Sequence, residues 1–400
     1  MIRFGRRGTF WSSAVVLALS LWASGAPSVL YPVYADEWGL TSVITTSVFA
    51  TYPAALLLVL LVFGSLSDTI GRRRAMLLGI GLIAVAAVIF AVAPNVGFLF
   101  AARALQGIGT GFAIGAASAA LVENNYTRNP RLASTLATIS TSTGLTLALI
   151  VSGALAELAP LPLVLSFAVL LVLSVTAWVL VALTPDDRPA AAVPFRFEAP
   201  HLAPGMTRAF ILATISVSVA YAVGAIFLSL GANMARELAA TDNLLTIGLL
   251  LGTSSLSIGV TALFLSRVPA HVAIIVGGSV SLLGLGVMVA SAASGSLVLL
   301  LVWCVVGGIG YSFAFTGGLG LLNRTAPAEH RGATLSLLYL FAYLLQALAA
   351  VGAGALATNL GLRLAVDIAG PVLAALCVVA VVLSIADLAA QRRAAAALAV

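Results

Sequence analysis

Long apolar runs separated by short polar breaks fill the chain from Trp11 almost to its C-terminus. Crossing a hydrocarbon core about 30 Å thick takes roughly 20 apolar residues as a helix, and runs of that length predict helices rather than barrel strands. Twelve are predicted, beginning near Trp11, Ser42, Arg74, Val96, Leu132, Leu161, Ala209, Asn243, Val272, Ser296, Ala333 and Leu364. After the sixth, the stretch Thr184 to Arg208 carries Asp186, Asp187, Arg188, Arg196, Glu198 and five prolines, the composition of a linker. The expected plan is a first six-helix half over 1–183, a cytoplasmic linker over 184–208 and a second half over 209–400.

Composition agrees with that pattern. With 62% apolar and 8% charged residues, the chain lies far from a soluble domain and reads as an all-α integral membrane protein. Its mean hydropathy is +1.16. With the N-terminus in the cytoplasm, Arg3, Arg6, Arg7, Arg72, Arg73, Arg74, Arg128, Arg131, Arg188, Arg196, Arg208, Arg267, Arg324, Arg331, Arg392 and Arg393 all fall inside. Only Arg236 and Arg363 fall outside, and Arg103 lies within a run. This asymmetry places both termini in the cytoplasm of a plasma-membrane protein. It also accounts for the net charge of +6, with lipid head groups rather than nucleic acid as counter-charges. Met1 to Ala26 has the layout of a secretory signal, but Pro27 to Tyr34 continue the hydrophobic segment, so a retained first helix is expected.

The chain contains no lysine, which excludes a P-loop and Schiff-base catalysis. His201, His271 and His330 fall in predicted loops without a ligand set around them, and Cys304 and Cys377 sit in apolar runs. No enzyme activity, cofactor, metal or disulfide is expected.

The richest polar break is Gly64-Ser-Leu-Ser-Asp68-Thr-Ile-Gly71-Arg-Arg-Arg74, between the second and third runs. Its glycines allow a tight turn, Asp68 can accept from backbone N–H groups or arginine, and the arginines suit carboxylates or lipid phosphates. The segment resembles the signature of the major facilitator superfamily between helices 2 and 3, with Gly64, Leu66, Asp68, Gly71, Arg72 and Arg73 at the matching positions. The resemblance implies a twelve-helix transporter in two halves. It also implies a conformational latch, with Asp68 beside the N-terminus of the helix starting at Gly332 to Leu335.

A second match is Arg103-Ala-Leu-Gln106-Gly107, which is similar to a motif associated with proton-coupled members of that superfamily. Burying arginine costs at least ~2.5 kcal/mol, so Arg103 should face a cavity or an acid, unless it snorkels to the outer surface. Asp36 and Glu37, at similar depth on helix 1, are the preferred partners, and protonation of one would release Arg103. The other reading makes both acids solvated loop residues. Helix 5 reads Thr143-Gly144 through Gly153 without the proline usual in drug antiporters of the superfamily. In the second half, Ser266 to His271 keeps little of the signature, whereas Ala326 to Gly332 resembles the family's loop before helix 11. Asp367 is expected to pair locally with Arg363.

Substrate contacts are expected near the midplane, from Tyr52, Tyr221, Trp303, Tyr311, Tyr339, Tyr343 and Gln346. Spacings of four and three put Tyr339, Tyr343 and Gln346 on one helix face. Few charges fall there, which favours an apolar, weakly polar or cationic substrate. The expected function is proton-coupled efflux of small hydrophobic or cationic compounds by a monomer, with protons and membrane lipids as further partners. Two alternatives stay open: a proton-linked uptake carrier or facilitator for a sugar or other metabolite, and a transport-inactive receptor or scaffold.

Overall fold

The computed structural model describes residues 4–64, 66–127, 129, 131–187, 201–202, 205–327 and 330–398. These form fourteen α-helices and no strand: α1 (Arg6–Gly25), α2 (Tyr31–Trp38), α3 (Ser42–Phe63), α4 (Leu66–Ile70), α5 (Arg72–Ala91), α6 (Val96–Glu123), α7 (Arg131–Leu158), α8 (Pro162–Ala182), α9 (Thr207–Asn233), α10 (Leu244–Phe264), α11 (Ala270–Ser294), α12 (Leu297–Thr325), α13 (Arg331–Leu360) and α14 (Leu362–Leu398). All but α2 and α4 are long, and eleven of them are apolar enough to cross a membrane by composition. The twelfth long helix is α1, whose arginine and serine residues dilute its apolar content. Arg3, Arg128, Glu329 and residues 188–200 of the expected linker lie outside the described residues.

Where α6, α10 and α12 re-enter after a turn, a side chain caps the exposed N–H groups. Asn95 accepts from Gly97 N at 3.0 Å, Asn243 from Thr246 N at 2.8 Å and Ser296 from Leu299 N at 3.3 Å. Such caps satisfy donors that a helix start leaves without partners.

Before the linker, α6 packs against α1, α3 and α5, α5 against α8, and α1 against α7. After it the same pattern recurs: α12 packs against α9, α10 and α11, α11 against α14, and α9 against α13. The two bundles meet along α3 with α13 and α7 with α10.

Helix 1 departs from the expected unbroken segment. It stops at Gly25, turns through Ala26 to Leu30 and restarts as α2. Pro27 has no N–H to donate, and Ser28 N bonds to Gly25 O at 3.0 Å instead of reaching back a full α-turn to Ser24. The carbonyl of Ser24 is thereby left without a helical partner. On the other side, α9 ends in a π-turn over Met234–Leu238.

Candidate functional site

A cavity of about 540 Å³ lies between the two bundles. Its wall contains all seven residues named from the sequence: Tyr52, Tyr221, Trp303, Tyr311, Tyr339, Tyr343 and Gln346. It extends to Leu60, Thr138, Ala262 and Thr316, near those ends of α3, α7, α10 and α12 that carry the arginine-rich breaks.

The second-half wall is aromatic. Around the Tyr221 ring stand Tyr343 at 4.9 Å, Phe315 at 5.8 Å, Tyr311 at 6.4 Å and Tyr339 at 6.5 Å between centroids. Rings at these separations present a broad apolar face with hydroxyls at its edges. Trp303 Nε1 and Gln346 Oε1 have no protein partner. The first-half wall is different, with Ser24, Thr110, Thr138, Thr141 and Ser142 beside Phe49 and Tyr52. Of these, only Tyr52 is expected there from the sequence. The others sit on small-residue faces whose only signal is a hydroxyl within an apolar run. Among the described lining residues none is acidic or basic.

Behind that first-half wall lies Arg103, fully buried. Its Nε and Nη2 donate to Tyr31 Oη at 2.9 and 2.5 Å, and its Nη1 donates to Ser24 O at 3.1 Å and to Gln106 Oε1 at 3.2 Å. The rings of Tyr31, Phe49 and Tyr52 stand 5.4 to 5.9 Å from the guanidinium carbon. Rings at that range favour a cation, and the Ser24 bond uses the carbonyl freed by the helix break. Gly107, next on α6, lies against the backbone of Tyr52 and lets α6 approach α3 closely.

The expected pairing of Arg103 with Asp36 or Glu37 is corrected. Both acids ride on α2, beyond the break, and both are exposed. Asp36 instead pairs with Arg236 at 2.8 Å, across the two halves. Arg236 also reaches Asp242 at 3.3 Å. Two more bonds cross between the halves at the same end: Val43 N donates to Thr358 Oγ1 at 2.9 Å, and Leu244 N to Glu157 Oε2 at 2.7 Å. A carboxylate at the start of α10 also meets the positive end of that helix. Further in, Ser142 Oγ donates to Ser255 O at 2.8 Å. The bonds of Asp36, Val43 and Leu244 seal the end remote from the arginine-rich breaks, while that of Ser142 joins the halves midway along α7.

At the arginine-rich end, α3 finishes beside Gly64, Leu66 opens the short α4, and Gly71 turns the chain into α5. Gly71 has φ +91°, a conformation that side chains disfavour. Arg72 forms an ion pair with Asp68, donates to Ser67 Oγ at 2.5 Å and bonds Glu123 Oε1 at 3.1 Å. Arg73 donates to Ala182 O at 2.6 Å and Val181 O at 3.3 Å, at the C-terminal end of α8. Asp187 accepts from Arg72 N at 3.0 Å and Arg73 N at 3.2 Å, capping α5. These bonds stay on the first-half side of the cavity. In this conformation Asp68 is not at the start of α13, where the resemblance seats it when the latch is engaged: α4 packs on α5 and α6.

The sequence model of the Major Facilitator Superfamily matches residues 11–230 and 210–397. The chain belongs to this superfamily. Superfamily membership and the helical fold support a secondary transporter with multiple membrane passes. Over 131 residues, 32% of the chain, it is 31% identical to the uncharacterized MFS-type transporter EfpA of Mycobacterium tuberculosis in two strains, CDC 1551 / Oshkosh and ATCC 25618 / H37Rv. The match spans 24% of the length of those relatives. Solved structures with the same fold include a bacterial homologue of the human lysosomal transporter Spinster, inward-facing and unoccupied. It has a TM-score of 0.74 and 14% identity, covering 96% of this chain and 98% of that one. A mutant of the peptide transporter POT in complex with sulfate has a TM-score of 0.75 and 18% identity, covering 98% and 95%. At these identities the likeness is one of fold.

Proposed function

We propose that this major facilitator protein is a plasma-membrane secondary transporter that exports small, largely apolar compounds by alternating access, acting as a monomer and driven by the proton gradient. One observation carries the reading. The aromatic cavity between the halves extends to the arginine-rich end, while bonds between the halves close the opposite end. With the arginine-rich end in the cytoplasm, as the positive-inside rule requires, this is an inward-facing arrangement ready to load from the cytoplasm. Rocking of the halves would break the sealing bonds and bring Asp68 towards α13.

The candidate coupling group is Asp36. Its side chain is exposed at the sealed end, and protonation there would cancel the charge that holds Arg236 across the halves. One observation favours a rival, the uncoupled facilitator: among the described residues, no carboxylate lies within ion-pair range of Arg103 or in the cavity wall. Purified protein in liposomes with an internal pH dye separates the two. Substrate-triggered pH change, with accumulation set by an imposed gradient, supports proton-coupled transport, and its sign gives export or import. Gradient-independent movement with a silent dye supports the facilitator.

A further inference from the structure

The structure assigns the substrate a polarity: an apolar body with one anionic or strongly accepting head, an aromatic monocarboxylate rather than a lipophilic cation. This rests on the reading of the cavity as the transport site.

The first observation is a buried charge without a counter-charge. Arg103 is fully buried, and its four hydrogen bonds all go to neutral oxygens, of Tyr31, Ser24 and Gln106. A desolvated guanidinium with neutral partners projects a positive potential into whatever lies beside it. What lies beside it is the cavity wall, since Ser24, Phe49 and Tyr52 touch Arg103 on one side and line the cavity on the other.

The second observation is an excess of donors on the same helix face. Arg103, Gln106 and Thr110 follow at spacings of three and four on α6, so they form one polar stripe that reaches the cavity at Thr110. Gln106 Nε2 is buried with no protein partner, and the Thr110 hydroxyl stands beside that of Tyr52 at the cavity. Buried donors call for an acceptor. An acceptor-bearing head at Thr110 would meet this need and lie towards Arg103. The apolar body would then rest on the opposite wall, among Tyr221, Tyr311 and Tyr343. A cationic head has no acid to meet among the described lining residues.

The test uses three naphthalene probes with one skeleton: naphthalene-2-carboxylate, naphthalene-2-methanol and a naphthylmethyl-trimethylammonium. Binding to the purified full-length chain is read by competition and movement by counterflow in liposomes. At an effective dielectric near 20 and a separation of roughly 10 Å, one unpaired charge shifts each ion by about tenfold from the neutral alcohol, in opposite directions. The carboxylate should bind about a hundredfold more tightly than the ammonium, with the alcohol between them. In R103Q the gap between carboxylate and ammonium should close; the wild-type series decides alone if that variant does not fold. Equal or tighter binding of the ammonium, or an undiminished gap in folded R103Q, overturns the inference while movement of any probe leaves the transporter standing. No probe bound and none moved removes the cavity as the transport site and the inference with it.

Discussion

Arg103 Nη1 lies 3.1 Å from the carbonyl of Ser24, the one that Ser28 abandons when it bonds to Gly25 instead. A side chain from helix 4 of the twelve thus replaces a backbone donor of helix 1, and the break is held open by the arginine. Replacing Arg103 with alanine leaves Ser24 O, Tyr31 Oη and Gln106 Oε1 without their shared donor. Unmatched buried acceptors cost roughly 1–3 kcal/mol each before relaxation. R103A is expected to melt at a clearly lower temperature in detergent and to lose transport. An unchanged melting temperature would show that the break stands without the arginine.

The pair Asp36 with Arg236 crosses the halves but is open to solvent, with side-chain exposures of 64% and 25%. Exposed pairs contribute about 0.2–1 kcal/mol, so its loss should barely change the melting temperature. It should change the conformational balance, because the bond exists only when that end is closed. D36N and R236A are expected to raise the reactivity of a cysteine placed at the sealed end. The swapped pair, D36R with R236D, should restore protection.

Two glycines separate folding from cycling. A Cβ on Gly144 would lie 2.0 Å from Ala18 O, inside one half, whereas a Cβ on Gly354 would lie 2.0 Å from Thr46 Oγ1 and 2.8 Å from Ser42 O, across the halves. G144A is expected to reduce folded protein in the membrane. G354A should keep abundance but hold the sealed end apart, lowering turnover several-fold. Thermal melting and transport, measured on both variants, check the contrast.

Asp68 is half-exposed and paired with Arg72 in this conformation, so it is available to the other half when that end closes. D68N is expected to keep normal membrane abundance and lose most transport. A disulfide between cysteines at 68 and 334 should form only after a substrate or inhibitor closes the arginine-rich end. Normal turnover in D68N would remove the latch.

The apolar runs made the twelve long helices legible, because the bilayer leaves the backbone few alternatives. That the seven polar or aromatic residues share one cavity wall was legible too, since such side chains in apolar runs tend to face the centre. The break in helix 1 was not. Pro27 was its only local signal, and its consequence depends on Arg103 arriving from a helix 70 to 80 residues away. The partner of Asp36 was hidden for a similar reason: depth along a helix ranks candidate acids for Arg103, but the turn after Gly25 sends α2 towards α9 and its π-turn. Tyr31 was missed because it lies in a stretch that reads as more of the same helix.

The account stands on opposed movement at the two ends of one cavity. Spin labels at the exposed positions Val122 and Phe264 report the arginine-rich end, and labels at Leu158 and Leu360 report the sealed end. Pulsed-dipolar distances on the reconstituted protein, with and without a transported compound, give both separations. The account predicts that the first pair draws closer as the second moves apart. Both distances unchanged, or both changing in the same direction, would contradict alternating access in this protein.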